Sequence, residues 1–459
     1  MKYSPTEEQQ LVVDTMKSDL NGQIVLVEAH AGCTKTSSSL LVVAELKPKK
    51  GLYYAFNKKI VEEAKDKFPT NIECRTLHSL ALSYIKPKKG IEDLTYTCIE
   101  EDLPYQVKAS ILNAIDNFFR SNSTDMEDYL TELLGKELLV NIAMKYINLM
   151  IEDKIPVTFN FLLKYLHLLL DQGLIELNYD LVILDEIQDT TEVALEIFKL
   201  INSSKKLGLG ETHQAIYRFM DLANGFEELS NVKLLHLTRS FRCSTEIANK
   251  VQNFMRTHLD SNFHFVGFDR EPTYNTMAYI TLTNAKIVER IAELHKEGKG
   301  YTLTRPIKDI FACPLALITA ASGKEVYHKK YRFLEKEFRN YTMSGYPTFY
   351  TYLMDNVEDE EIKNTIKLLN NFRTKKINIW DVLKEAKKHK AGKSITVGTA
   401  FSLKGTEFDT VYIEDDLNTA VNKIITKGGA EDMEDVTILR VAYVGISRSK
   451  HQLINCKFA

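Results

Sequence analysis

The chain has 459 residues, 44% of them hydrophobic and 26% charged, with a formal net charge of -3. Those proportions are globular and long enough for two to four domain-sized units. The charge balance excludes a polybasic nucleic-acid coat, although a local basic groove stays possible because steering depends on where charge sits.

The opening MKYSPTEEQQ has no apolar signal core, and no run of 18 or more apolar residues occurs. The expectation is therefore a protein with no membrane span, cytoplasmic in a bacterial or phage-infected cell, or nuclear if the host is eukaryotic. Six scattered cysteines form no C-x-x-C pair, so neither a zinc knuckle nor a disulfide framework is expected.

In chain order, a helix is predicted over residues 5–20, starting near Pro5 or Thr6. QIVLVEA (23–29) reads as a buried strand and runs into HAGCTKT, after which SSSLLVVAEL resumes a helical pattern. GLYYAF (51–56) is a second strand followed by a helix, and IECRTLHSLAL (72–82) is a third strand leading into a helix. Such alternation predicts a parallel sheet with crossover helices. Between about 86 and 175 the pattern is helical, as in LPYQVKASILNAIDNFF and NFLLKYLHLLLDQGL. Strands return at DLVILD (180–185), KKLGLGE (205–211) and LLHLT (234–238). MAYITLTN (277–284) is a strand, and the helix after it stops at Gly298. Residues 306–392 lack alternation and carry basic clusters at 324–340 and 384–393, read as solvated faces. SITVGTAFSLKG and TVYIEDD are read as strands, and LRVAYVGISRSK as a helix-like segment.

The stretch Ala29-His30-Ala31-Gly32-Cys33-Thr34-Lys35-Thr36 sits between a strand and a helix, the setting of a phosphate-binding P-loop. Backbone N–H groups at a helix start favour an anion. Lys35 is the candidate for the β- and γ-phosphates, and the Thr36 hydroxyl for Mg²⁺. Against the G-x-x-x-x-G-K-[ST] pattern, Ala29 and Thr34 replace the two glycines. A threonine at that second position costs about 1 kcal/mol if its backbone is strained. LVILDEIQD (181–189) supplies the complement: Asp185 and Glu186 end an apolar strand, suited to holding Mg²⁺ and to orienting and deprotonating water.

With these residues in place, the chain resembles superfamily 1 DNA helicases of the UvrD/Rep type, and among them the shorter F-box-helicase-like members. Nine segments match in order: TEEQQLVV, AHAGCTKT, YYAFNK, RTLHSLA, LDEIQD, GETHQAIYRF, LTRSFR, TAFSLKGTEF and RVAYVGISRS. The resemblance implies an α/β fold of two RecA-like parallel-sheet P-loop domains, each with an inserted, mostly helical subdomain. The expected layout is 1–85 with 176–235 as the first, 86–175 as its helical insertion, 236–305 with 393–459 as the second, and 306–392 as a reduced second insertion.

It further implies that ATP and Mg²⁺ are used between the two domains. Gln9 is then the better candidate to read adenine, with Gln10 the alternative. Gln214 senses the γ-phosphate, Arg242 and Arg448 act as arginine fingers, Phe241 stacks on adenine, and Gly405 and Glu407 lie near the nucleotide. Phe56, Asn57, Thr76, His78, Tyr217, Phe219 and Thr399 fall at positions that contact single-stranded DNA in the family, where aromatics stack on bases without reading sequence. Glu211 and Phe401 replace a family aspartate and histidine. The implied activity is translocation on single-stranded DNA, 3′ to 5′, with partners that include junctions between single and double strands. The sequence identifies no protein partner. Two alternatives stay open: a translocase that strips proteins with little unwinding, and a weakly hydrolysing or non-hydrolysing DNA-binding regulator.

Overall fold

Apolar runs whose both faces are buried become parallel strands here, because crossover helices cover both faces of the sheet. The computed structural model describes residues 4–55, 58–95, 98–216, 222–389, 392 and 394–459. The chain divides into two units, Met1–Thr238 and Arg239–Ala459.

In the first unit, α1 (Glu7–Lys17) precedes β1 (Ile24–Ala29), α2 (Lys35–Leu46), β2 (Gly51–Ala55), α3 (Lys58–Lys65), β3 (Ile72–Thr76) and α4 (Leu77–Tyr84). Four helices follow: α5 (Tyr105–Arg120), α6 (Met126–Leu134), α7 (Glu137–Ile151) and α8 (Phe159–Asp171). β4 (Leu181–Asp185), α9 (Glu192–Leu200), β5 (Lys206–Gly210), α10 (Gly225–Glu228) and β6 (Val232–Leu237) complete it. The six strands are all parallel, in the order β3-β2-β4-β5-β1-β6. Every residue of β2 and β4 is buried, which is why each reads as an unbroken apolar run. The helical insertion shares its core with one face of this sheet: Leu52, Tyr54, Val182 and Leu184 join Ile111, Phe118, Leu162 and Leu166 in one cluster.

In the second unit, α11 (Thr245–His258), β7 (Met277–Thr281), α12 (Asn284–Lys296) and β8 (Thr302–Leu303) lead into α13 (Ile307–Ile310), α14 (Ala312–Ala321), α15 (Leu334–Thr342), α16 (Phe349–Asn356), α17 (Glu360–Thr374) and α18 (Ile379–Lys388). β9 (Ile395–Thr399), β10 (Phe408–Ile413), α19 (Asp415–Thr426), α20 (Met433–Ile446) and β11 (Ser449–Ile454) follow. This sheet is also parallel, in the order β11-β10-β7-β9-β8. Three readings need correction. SITVGTAFSLKG is a strand only through Thr399 and turns thereafter, the acidic end of TVYIEDD opens α19 rather than extending a strand, and LRVAYVGISRSK is helical only through Ile446, its Ser449 and Lys450 starting the edge strand β11. No described helix is long and apolar enough to cross a membrane.

Inside the insertion, α8 buries two titratable side chains one turn apart. The Lys164 ammonium donates to the carbonyls of Ser121, at 3.0 Å, and of Ser123, and lies 4.3 Å from the Phe118 ring centroid. It therefore fills the C-terminal end of α5, where carbonyls lack helical partners. His167 has no hydrogen-bond partner at Nδ1, and burial, with Lys164 adding, lowers its pKa to about 4. The folded imidazole is thus neutral at pH 6.5, its ordinary value, whereas the unfolded one begins to charge there. Its stabilising contribution is complete above pH 6.5 and is lost as pH falls through 4. Urea unfolding between pH 7 and 4.5 is expected to show a smaller acid-side loss for His167→Leu than for wild type; equal losses would exclude this assignment.

Candidate nucleotide site

The loop from β1 to α2 is set by two left-handed residues, Gly32 (φ +75°) and Thr34 (φ +64°). Glycine adopts that region freely, but threonine does so at a cost of roughly 1 kcal/mol. The expected strain at Thr34 is therefore present. Its hydroxyl accepts from Gln9 Nε2 at 2.8 Å. Gln9 is itself fixed by a capping box, since its backbone N–H donates to Thr6 Oγ1 and its Oε1 accepts from the Thr6 N–H. Gln9 is buried at this loop, while Gln10 is exposed and donates to Asp14. Ala29, His30, Ala31 and Cys33 are buried, and Lys35 and Thr36 open α2.

Lys35 Nζ meets Glu186 Oε1 at 2.7 Å, joining residues 151 apart in sequence, with side-chain exposures of 18% and 20%. Burial opposes the lysine charge, but Glu186 and Asp185 outweigh it and push its pKa up to about 12. Asp185 ends β4 and is buried; its Oδ1 accepts from the Glu186 N–H at 2.9 Å, and its Oδ2 accepts from the Tyr53 hydroxyl at 2.5 Å. Glu186 is also left-handed (φ +56°), and its Oε2 accepts from Gln188 Nε2 at 2.6 Å. Gln188 Oε1 in turn accepts from the Glu211 N–H at 3.0 Å. A Cβ at Gly210 would lie 2.2 Å from Gln188 Oε1, so a side chain there would displace the amide that links Glu186 to Glu211. Glu211 is fully buried, accepts from Gln214 Nε2, and faces His30 Nδ1 at 3.4 Å. Glu211 thus holds Gln214, the residue expected to sense the γ-phosphate.

Three carboxylates (Asp185, Glu186 and Glu211) act on the Lys35 ammonium. The excess of negative charge and the hard oxygen donors of Asp185 and Thr36 fit Mg²⁺, which binds through one or two protein oxygens plus phosphate.

The second unit gathers a separate set. Arg242 Nε donates to Glu407 Oε2 at 3.1 Å, and its NH1 to the Ser447 carbonyl at 3.2 Å. Burial works against the Glu407 charge, but Lys450 and Arg242 hold its carboxyl below the ordinary value. Arg448 is buried, donating to the carbonyls of Val444 and Thr406 and to Ser447 Oγ. Phe241 packs on Phe268 with centroids 5.3 Å apart, and Gly405 is left-handed (φ +84°).

Of the candidate DNA contacts, Thr76 N-caps α4 by accepting from the Ser79 N–H. His78 lies edge-on to Phe159 at 5.5 Å, and burial lowers its pKa. Thr399 is buried at the end of β9 and accepts from the Ser402 N–H at 3.3 Å. Thr76 and Thr399 therefore each do local structural work. Phe56, Asn57, Tyr217 and Phe219 lie outside the described residues. The sequence places Tyr53 in a strand and in the segment YYAFNK without assigning it a role; its contact with Asp185 depends on strand register, which the sequence does not display.

The first unit thus sets a strand-loop-helix turn beside an acidic strand end, the arrangement of P-loop folds. A family described as an AAA domain matches residues 12–220. F-box DNA helicase protein 1 of Schizosaccharomyces pombe is 25% identical over 518 residues, covering 98% of this chain and 57% of that protein. F-box DNA helicase 1 of Gallus gallus is 25% identical over 466 residues, covering 90% of this chain and 44% of that protein. The chain spans about half the length of these curated relatives. These similarities are to DNA helicases, and the chain's two parallel sheets accord with two RecA-like domains.

The Gln9–Thr34 bond predicts energetic coupling. Thermal denaturation of Gln9→Ala, Thr34→Gly and the double variant is expected to give a coupling energy of about 0.5–1 kcal/mol. Strict additivity would show that the bond does not support the strained loop.

Proposed function

We infer that the protein is an ATP-dependent DNA helicase, moving 3′ to 5′ along single-stranded DNA and engaging its junctions with duplex. The observation that carries this reading is the Lys35–Glu186 contact beside Asp185, which brings the P-loop and the acidic strand end together in one fold.

In this reading Lys35 leaves Glu186 for the β- and γ-phosphates, exchanging one anion for another. The released Glu186 carboxylate then accepts a proton from the attacking water, with Gln188 holding its other oxygen. Gln214, held by Glu211, reports the γ-phosphate. Arg242 and Arg448 neutralise charge on the transferring phosphoryl oxygens. Thr36 and Asp185 hold Mg²⁺, which neutralises charge on the phosphates when bound. Aromatic side chains of the DNA-contact set supply stacking that tolerates any base.

A second reading, a DNA-binding regulator with little hydrolysis, draws on the internal pairing of Lys35, Gln9 and Gln214. A protein-stripping translocase is the same motor under a different load.

ATPase rates with and without single-stranded DNA separate these. Wild type is expected to be stimulated by DNA, and Lys35→Ala and Glu186→Gln to lose about 100-fold or more. Unstimulated wild type with rates equal to both variants would favour the regulator. Hydrolysis without separation of a 3′-tailed duplex would favour the stripping motor, and separation only of a 5′-tailed duplex would overturn the polarity.

A further inference from the structure

Tyr53 and Asp185 lie on neighbouring strands. The register of β2 against β4 sets Tyr53 beside Ile183 and Ala55 beside Asp185. Residues two apart share a face of a sheet, so Tyr53 and Ala55 project to the same side. From there the Tyr53 hydroxyl reaches Asp185 Oδ2 at 2.5 Å. Both residues are buried, Tyr53 to 1% and Asp185 to 4% exposure. The ring is seated independently of this contact, 4.9 Å from the Phe68 ring centroid.

The carboxylate therefore receives one donor on each oxygen: the Tyr53 hydroxyl on Oδ2 and the Glu186 N–H on Oδ1. Two donors on opposite oxygens fix the plane of the group, and each oxygen keeps a lone pair for a further partner.

We propose that Tyr53 is a positioning residue of the metal site, its hydroxyl orienting Asp185 as an oxygen ligand for the Mg²⁺ that accompanies the nucleotide. This rests on the assignment of Asp185 as the metal carboxylate. Groups that orient a metal ligand commonly set its affinity by 10–100-fold. A tyrosine in GLYYA carries no such signal in the sequence, where it reads as core.

The test uses the full chain and a fluorescent ADP analogue titrated at increasing Mg²⁺, with Mn²⁺ binding followed by electron paramagnetic resonance as a readout independent of turnover. Wild type, Tyr53→Phe and Asp185→Asn are compared, each with its ligand-free thermal midpoint. Tyr53→Phe keeps the ring in its seat. It is expected to need about tenfold more Mg²⁺ or Mn²⁺ for half-saturation, with metal-free nucleotide affinity unchanged. A metal requirement equal to wild type, while Asp185→Asn loses the metal response, overturns the role of Tyr53 alone. Weakened metal-free nucleotide binding in Tyr53→Phe with an unchanged metal requirement marks a purely structural tyrosine and also overturns it. If Asp185→Asn retains the wild-type metal response, the metal assignment itself fails, and the proposal fails with it.

Discussion

The ion pair of Lys35 and Glu186 is the constraint on which the first unit's site depends. Glu186 follows Asp185, the last residue of β4, and Lys35 opens α2; each adjoins a left-handed, non-glycine residue or is one: Thr34 precedes Lys35, and Glu186 itself has φ +56°. Two such residues cost roughly 1–2 kcal/mol each, and they persist only where the surroundings over-determine them. Here those surroundings are explicit. Gln9 holds Thr34 from the capped start of α1, while Gln188 and Lys35 hold the two carboxylate oxygens of Glu186. The strain places a lysine and two acids within reach of one another at the ends of β1 and β4, where a relaxed turn would direct them elsewhere.

The first sheet was largely legible because its strands are buried on both faces. β1, β2 and β4 have no solvent face to force alternation, so they stand out as apolar runs bounded by polar loops. The same physics hides β11: SKHQLI is an edge strand with one neighbour, β10, and its polar residues are tolerated there. β8 has two residues, too few for any period to register. α19 was obscured because its first turn, Asp415 and Asp416, directly follows the apolar run of β10 and reads as the strand's tail.

The site divides in the same way. Residues singled out by chemical type and order, such as Lys35, Asp185 and Glu186, are brought together in the structure, so their juxtaposition was legible in the sequence. Residues whose role follows from what they touch were not legible in that way. Thr76 and Thr399 have the right type for a phosphate contact, yet their hydroxyls accept from the backbone of Ser79 and Ser402. Tyr53 has the type of a core residue, yet its hydroxyl meets the buried aspartate. Register and burial decide these cases, and neither is a property of a short sequence window.

Each unit neutralises its own charges. Lys35 is paired with Glu186 in the first; in the second, Arg242 is paired with Glu407, and Arg448 is bonded to the carbonyls of Val444 and Thr406. A buried charge without a partner is costly, so these residues need internal partners in the absence of phosphate. An anion arriving at Lys35 has to compete with Glu186 rather than meet a bare cation. Its net gain is the difference between two strong contacts, which is smaller than either, so such an exchange is reversible at modest free-energy cost.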